Sequence, residues 1–574
     1  MLWNNLYICI HMNRVWSIIP REYRRRTIWL TTTIFVRALL NFVGIASLIP
    51  ILILILDRQA LESNQYIISF CKLLHISDYN TLATMLCAII VAIVVFKNII
   101  ILFLNRIEQN YIFDLYKNLS ERLYQFYWQQ GLGFIKSKNS SILSRNINST
   151  CLMFATGVIK PIATIISESI LIMLVVVALS LYNCQTALII AGLFIPIASI
   201  FYLGLRRKLH DTGESENEAQ RTKSRIVAES IRGYVDINLT DAFPLTFRRF
   251  ADATNNVVKL RKRHALISQS PQAFAEMGIV VAMSALILLS LQDEANVGLI
   301  FSIFAIAALR LLPSLRNILL GWSNLQYNIH TSEVLAEIKD FSVSSIHHSD
   351  EKLPLMSQVE LRSVTFNFED TSLPVINDFS LVIKRGERIG IRGASGIGKT
   401  TLLNIIAGIY KPMSGDIAID GEVLCDSNIR KWQNSIGYVP QSVFVLDGSI
   451  AENIALGCDP DKIDYARVNH VIEIAELKDF VDRCPRGIHT HIGEQGVRLS
   501  GGQRQRIGIA RALYRECDIL LFDEATSSLD DSTEQNINSA IERLSASNSA
   551  LTIVVVAHRT SSLEYCDRII TMGQ

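Results

Sequence analysis

The sequence predicts two unlike halves: an α-helical domain of six membrane spans, and a soluble α/β domain organised around a glycine-rich loop. Three observations predict this. Six apolar runs lie in the first 340 residues, each longer than the roughly 20 residues an α-helix needs to cross a bilayer core. Hydropathy then falls through a polar stretch at 341–357. Beyond it, short β-type runs alternate with helical ones, the pattern of an α/β domain.

The bulk numbers fit that division. At 574 residues the chain is too long for one core. Half of it is hydrophobic, only 19% is charged, and the mean hydropathy is positive, which is ordinary for a chain with several membrane spans. The net charge of +2 argues against a nucleic-acid partner, which would need a clustered basic face. The ten cysteines are scattered, with no CxxC pair and no zinc-type spacing, so they read as small core residues in a reducing compartment. Cys71 and Cys184 fall in loops placed outside the membrane, and nothing says that they pair. The first apolar stretch is broken by His11 and Arg14 and lacks a small-residue cleavage site, so no secretory signal is expected. About 27 residues precede the first span, too few for an accessory N-terminal domain.

The spans are placed near 28–56, 82–107, 155–182, 185–206, 264–291 and 297–322. Buried helices of a soluble protein would be shorter and fewer. Arg21, Arg24, Arg25 and Arg26 precede the first span and put the N-terminus in the cytosol. The segments at 108–150 and 207–262 are long, polar and helical in pattern; the second is flanked by Arg206, Arg207, Lys208, Arg261, Lys262 and Arg263. They are expected to carry the membrane helices into the cytosol. The opposite connections are short, and Gln292–Asn296 carries no basic residue. Between the first two spans, apolar residues recur at helical spacing over 65–74. That stretch reads either as an amphipathic helix on the outer membrane surface or as an ordinary loop helix. The predicted organisation is a transmembrane domain at 1–340, a linker at 341–357 and a soluble domain at 358–574.

The chemistry lies in the soluble half. Gly393, Ala394, Ser395, Gly396, Ile397, Gly398, Lys399 and Thr400 fit the phosphate-binding pattern GxxxxGK[ST], between a strand at 388–392 and a helix opening at Thr401. Glycines let backbone N–H groups curl around an anion, and the helix N-terminus adds a favourable field. Lys399 would neutralise nucleotide phosphates, and Thr400 would offer a hydroxyl to Mg²⁺. Further on, an apolar strand from Cys517 ends in Asp523 and Glu524. Asp523 suits a Mg²⁺ contact, and Glu524 would polarise an attacking water.

Leu499, Ser500, Gly501, Gly502 and Gln503, followed by a helix from Arg504, resemble the signature of ATP-binding cassette (ABC) proteins. Gln441, after Tyr438, Val439 and Pro440, resembles that family's glutamine loop, a nucleotide and Mg²⁺ contact. Ser528, Leu529 and Asp530 match its aspartate loop, and His558, ending the strand from Leu551, matches its switch histidine. Six spans followed by one cassette resemble the exporter half-transporter, and Gly493 with Glu494 resembles a loop typical of exporters. The resemblance implies a P-loop cassette with a helical subdomain, ATP and Mg²⁺ as cofactors, Glu524 and His558 as catalytic residues, and a second copy of the chain as partner. Ser500, Gly501, Gly502 and Gln503 would meet the nucleotide held by the other copy, with Asp530 beside it. Phe368 stands where the family's adenine-stacking aromatic is commonly Tyr, Ser528 stands for the usual Ala, and the tail after the last strand is short.

The resemblance also implies that loops around 132–146 and 225–240 couple cassette closure to the membrane helices. Cargo has to be read from charges within the spans, where they are costly and usually functional. Arg37, Lys97, Arg310 and Arg316 map to the cytosolic half of the bilayer and would suit an anionic head group. Against this, Arg316 could snorkel to the interface, and Glu168 and Glu276 could neutralise the others. The end of the sixth span, from Ala308 to Asn317, and the stretch at 65–75 resemble the bacterial flippases of lipid-linked oligosaccharides, in which basic residues meet a pyrophosphate. Lys97, Arg310 and Arg316 fit that role; Gln272, where another basic residue is expected, departs from it. The expected function is ATP-driven export of an amphipathic, anionic, lipid-linked cargo across the inner membrane. A peptide or bacteriocin exporter, a lipid or drug exporter and a non-transporting membrane ATPase are the alternatives.

Overall fold

A computed structural model describes residues 13–47, 79–182, 184–290, 297–341, 351–368, 373–493, 496, 498–524, 532, 534–537, 539, 542, 550–557 and 563–573. For 184–207 and 297–310 the description is of the backbone alone. The chain divides into two compact units: Met1–Gln130 with Ile135–Val343, and Ser344–Gln574, with which Gly131–Phe134 is grouped.

The first unit is helical. Its long helices are α1 (Arg21–Ala46), α2 (Tyr79–Gln129), α3 (Lys160–Tyr182), α4 (Cys184–Arg232), α5 (Phe243–Ser290) and α6 (Val297–Asn328). Among the described residues three stretches are long and apolar enough to cross a membrane: Arg21–Ala46, Thr84–Gln129 and Ser140–Leu181. The expected 65–74 helix lies outside the described residues, as does the far end of the first span beyond Ser47.

Packing shows why the apolar runs exceed what a core requires. On α1, Leu30, Ile34 and Ala38 recur every four residues and are buried, one stripe of the helix. Ile28, Trp29, Phe35 and Val43 point the other way and are exposed. The same holds on α2, where Leu102 and Phe103 are more than 60% exposed. Apolar side chains on the outside as well as the inside suit a hydrocarbon surround and no aqueous one.

Two breaks interrupt the long helices, and both fall in the stretches at 132–146 and 225–240. After Gln129 the chain turns at Gly131 and forms the short helices Gly131–Ser137 and Ser140–Arg145. The second is capped by Asn139, whose side chain accepts from the Ser141 N–H at 2.9 Å. The helix then runs on to α3 through two π-helical segments, Asn146–Thr150 and Ala155–Ile159. Between α4 and α5, Gly233 starts the short helix Tyr234–Leu239.

The second unit has two sheets. Strands β1 (Gln358–Phe366), β2 (Ile376–Lys384), β4 (Ser414–Ile419) and β5 (Glu422–Val423) form an antiparallel sheet in the order β2-β1-β4-β5. Strands β3 (Arg388–Arg392), β6 (Ile436–Val439), β7 (Ile519–Asp523), β8 (Thr552–Val556) and β9 (Arg568–Thr571) form a parallel sheet, β6-β7-β8-β3-β9. All five residues of β7 and of β8 are buried, as expected of central strands covered on both faces. Helix α7 (Lys399–Ile406) follows β3, and α8 (Gly501–Tyr514) leads towards β7. Helices at 450–454, 465–474 and 478–482 precede α8 and pack with it in one apolar cluster. The expected linker at 341–357 is described only at its two ends.

Candidate functional site

The site lies at the carboxyl ends of the parallel strands, where such sheets offer a crevice. β3 ends at Arg392, and the glycine-rich loop begins at once with Gly393. Gly398 caps α7 in a left-handed conformation, φ 105°, and a Cβ there would lie 2.9 Å from Val375 Cγ1. Glycine is therefore required at this position for two independent reasons, conformation and space. The turn aims the first N–H groups of α7 into the crevice. Lys399 is buried at the base of the loop, and its Nζ donates to the carbonyls of Gly393 and Ala394 at 2.9 and 3.0 Å. Its amine is thereby held beneath the loop formed by Gly393, Ala394, Ser395, Gly396, Ile397 and Gly398.

Strand β7 brings the two carboxylates. Asp523 is 2% exposed; it accepts from the Thr400 hydroxyl at 2.9 Å on one oxygen and from the Tyr438 phenol at 3.4 Å on the other. Burial raises its pKa, and the neighbouring Glu524 carboxylate adds to the rise, while Thr400, Tyr438 and Lys399 oppose it. Glu524 follows in a left-handed backbone conformation, φ 49°, with its N–H donated to the Val556 carbonyl at 2.9 Å. A long side chain held in that sparsely used region signals strain of the kind that clusters at functional sites. The Gln441 side-chain amide donates to Glu524 Oε2 at 2.8 Å. Thr400 with Asp523, and Gln441 with Glu524, are thus the sequence-derived pairs that the fold brings into contact.

Ser500, Gly501, Gly502 and Gln503 form a separate feature, the start of α8. The Ser500 hydroxyl accepts from the Gln503 N–H at 3.2 Å, and Gln503 Oε1 accepts from the Ser500 N–H at 2.9 Å, a capping box. Each side chain accepts from the other residue's backbone N–H rather than bonding to Gly393–Thr400 of the same chain. Phe368 is half-buried, edge-on to Phe366 and Tyr410 with ring centroids 5.1 and 5.7 Å apart. Asp530, His558, Ser528 and Glu494 lie outside the described residues.

Comparison with known proteins bears on the whole chain. Residues 376–527 match the family described as ABC transporter. The chain is 30% identical over 423 residues to an ATP-dependent lipid A-core flippase of Bordetella avium, covering 73% of this chain and 71% of that protein. The chain belongs to the ABC transporter family. Proteins of the same description from Ralstonia nicotianae and Polaromonas sp. are 29% and 32% identical, covering 82% and 71% of this chain and 79% and 69% of theirs. The fold is that of a solved structure described as a bacterial Atm1-family ABC exporter with ATP bound, with a TM-score of 0.78 at 21% identity, covering 96% of this chain and 94% of that one. This ABC transporter is an exporter that binds ATP and couples its hydrolysis to transport, with its helices in the inner membrane and its cassette in the cytosol.

The residues of this ABC transporter fit a magnesium nucleotide. A hydroxyl and a carboxylate side by side are hard oxygen donors, and a cation beside Asp523 would offset the cost of burying its charge. Among the described residues no group of three or more His, Cys, Asp or Glu could hold a metal alone. Mg²⁺ takes one or two protein oxygens and completes its shell with phosphate and water, so the Thr400 hydroxyl and the Asp523 carboxylate would suffice.

Tyr438, to which the sequence assigns no role beyond preceding Gln441, also belongs to the site. It reaches Asp523 because β6 pairs with β7, Tyr438 opposite Leu521, an adjacency that no local pattern reveals.

The charges proposed for cargo fare unequally. Arg37 is committed: it forms an ion pair with Glu108 of α2 and donates to Asn105 and Ser167 at 3.3 Å each. Its partner is Glu108, so neither Glu168 nor Glu276 is needed to neutralise it, and Glu168 instead accepts from Asn317 at 3.0 Å. Lys97 of α2 lies across Gly44 of α1, where a Cβ would meet its Nζ at 2.6 Å. Arg316 is exposed on α6. Arg310 lies on the same helix, with only its backbone described, and the side chain of Gln272 lies outside the described residues.

Proposed function

We propose that two copies of this chain form an ATP-driven flippase for an amphipathic, anionic lipid that carries a phosphorylated sugar head group. The observation that carries this reading is the set of relatives at about 30% identity, described as lipid A-core flippases, which cover more than two thirds of the chain. Within this class, the end of α6 favours a lipid-linked oligosaccharide, and the relatives' descriptions favour a glycolipid built on lipid A. Both present phosphate beside sugar on a hydrophobic anchor.

The chain's own residues supply the engine. Lys399 and the loop N–H groups bind the nucleotide phosphates, with the N-terminal field of α7 adding to the attraction. Thr400 and Asp523, with Gln441, would hold Mg²⁺, and Phe368 would offer a ring to the adenine. When bound, Mg²⁺ supplies neutralising charge to the phosphates. Gln441 orients the Glu524 carboxylate, which accepts the proton of the attacking water. Ser500, Gly501, Gly502 and Gln503 act on the nucleotide of the partner copy, so a complete site needs two chains. The six spans provide the path, Lys97, Arg310 and Arg316 favour its anionic cargo, and the helix breaks near 132–146 and 225–240 transmit cassette closure.

The test is flipping in reconstituted vesicles, with lipid A-core and a polyprenyl-pyrophosphate oligosaccharide compared side by side. ATP-dependent flipping of either, lost in Glu524→Gln with ATP binding retained, supports the reading; a fall in hydrolysis of at least about a hundredfold is expected. Active ATP hydrolysis with neither lipid moved sinks it and returns the peptide, drug and non-transporting alternatives.

A further inference from the structure

The helical unit contains a cavity of about 600 Å³, partly lined by the 132–146 stretch, to which no ligand has been assigned. It lies among the helix at 140–145 with its π-helical continuation, α4, α5 and the end of α6. Its lining mixes apolar surface, from Met153, Tyr327 and aliphatic carbons, with polar groups: five serine hydroxyls, the amides of Asn148, Asn217 and Gln220, the guanidiniums of Arg145 and Arg261, and the carboxylate of Glu216. Gly213 brings α4 against the backbone of α6 so closely that no Cβ fits beside the Tyr327 carbonyl, which makes one wall rigid. The lining comes mostly from the segments read as cytosolic extensions of the spans.

The charge balance favours an anion. Glu216 is answered by Arg261, whose Nε donates to it at 2.7 Å. Arg145 has no carboxylate within ion-pair distance among the described residues; it donates to the Asn217 carbonyl at 2.9 Å. The Nε of nearby Arg221 and the side-chain oxygen of Gln220 are buried without a hydrogen-bond partner. His330, packed beside them, is held neutral: burial first, then His210, Arg145 and Arg221, lower its pKa to about 4. The lining thus holds two guanidiniums, Arg145 and Arg261, against the single carboxylate of Glu216, so one positive charge stands in excess. A cleft of this size with one unanswered guanidinium and several hydroxyls and amides has the charge and the donors and acceptors to take a polar anion.

We propose that this cavity binds a phosphorylated sugar, with Arg145 on the phosphate and the serine hydroxyls and side-chain amides on the sugar hydroxyls. A guanidinium suits phosphate in charge and in planar geometry, and amides match hydroxyls because they both donate and accept. The proposal deepens the flippase reading and rests on it for the source of the ligand, the head group of the lipid before it crosses. A free sugar phosphate presents the same chemistry.

The experiment uses the full chain in lipid nanodiscs, titrated with glucose 1-phosphate, glucose and inorganic phosphate. Glucose 1-phosphate is expected to bind at least about tenfold more tightly than either fragment, and Arg145→Gln to lose about tenfold. Asn148→Asp is the second variant. Asn148 is exposed on the cavity wall, and among the described residues its side chain makes one hydrogen bond, to Ser144 at 3.3 Å. An added carboxylate there should repel an anion by a similar factor without disturbing the fold, which a melting curve checks. The second arm measures the KM for flipping of a lipid bearing the phosphosugar. A raised KM in Asn148→Asp, with no binding of free glucose 1-phosphate, assigns the ligand to the lipid head group. Glucose 1-phosphate binding that is lost in the variants, with no lipid flipped, sinks the flippase reading and keeps the cavity as a site for a soluble sugar phosphate. Flipping and titration alike unchanged in both variants overturn the proposal and leave the flippase reading standing.

Discussion

Burial of Asp523 disfavours its ionised form, and the charge on Glu524 adds to the effect. The folded-state pKa is therefore above the ordinary carboxylate value. Such a group contributes stability at low pH, below its unfolded pKa, and loses that contribution as pH rises through the folded value. Above its folded-state pKa the ionised Asp523 destabilises the cassette. Asp523→Asn removes the charge and keeps an acceptor for the Thr400 hydroxyl. Without Mg²⁺ and nucleotide, this variant is expected to melt higher than the parent at pH 7. Its melting temperature should also depend less on pH above the ordinary carboxylate value of about 4. ATP hydrolysis should fall at least about a hundredfold in the same variant. Identical melting profiles for the two proteins would remove the electrostatic account. Asp523 and Glu524 were legible from the sequence because an apolar strand ending in two carboxylates is a local pattern. Tyr438 was not, because its contact with Asp523 depends on strand pairing across 85 residues.

Helix α8 separates a structural from a functional role at one position. Ser500 caps the helix, so Ser500→Ala should cost about 1 kcal/mol of stability. Ser500→Asp keeps the cap but places a negative charge where the signature is proposed to meet a phosphate. It should melt like the parent and hydrolyse ATP poorly; full activity would reduce Ser500 to a cap. In the helical unit, Arg37 and Glu108 tie α1 to α2 through an ion pair with both side chains largely buried. Glu108→Gln leaves the guanidinium without its counter-charge and should destabilise by about 3 kcal/mol. Adding Arg37→Met should recover most of that loss, measured as unfolding in a bilayer mimic. Sequence reading found the cost of Arg37 at that depth and could not find its partner. Glu108 sits 71 residues away, at the point where an apolar run gives way to polar residues, and looks like a boundary residue.

Each chain carries both a phosphate loop and a signature, and the two make no hydrogen bond to each other among the described residues. The proposed composite site, shared between two copies, would account for both occurring once per chain. Lys399→Ala and Ser500→Asp proteins should each be nearly inactive alone. Mixed in equal amounts and allowed to exchange subunits, they form some dimers with one intact composite site. The mixture should regain roughly a quarter of the parent activity if subunits pair at random in a two-fold dimer. No recovery, with exchange verified by differently labelled subunits, would rule out a shared site.

The sequence by itself determined the class of this protein and its engine. Apolar runs longer than a bilayer is thick admit few structures other than membrane helices, and the phosphate loop, signature and strand-ending carboxylates are compact patterns whose chemistry is local. Only the tertiary structure decided which charges face one another. Arg37 went to Glu108, Tyr438 to Asp523, and Arg145 with Arg261 to a cavity whose walls come from three separate stretches of chain and the end of α6. The physical reason is range. Helix and strand periodicity, caps and glycine turns are set within a few residues, whereas ion pairs, buried carboxylates and cavities are made by packing elements tens to hundreds of residues apart, and no periodicity in the chain records that packing.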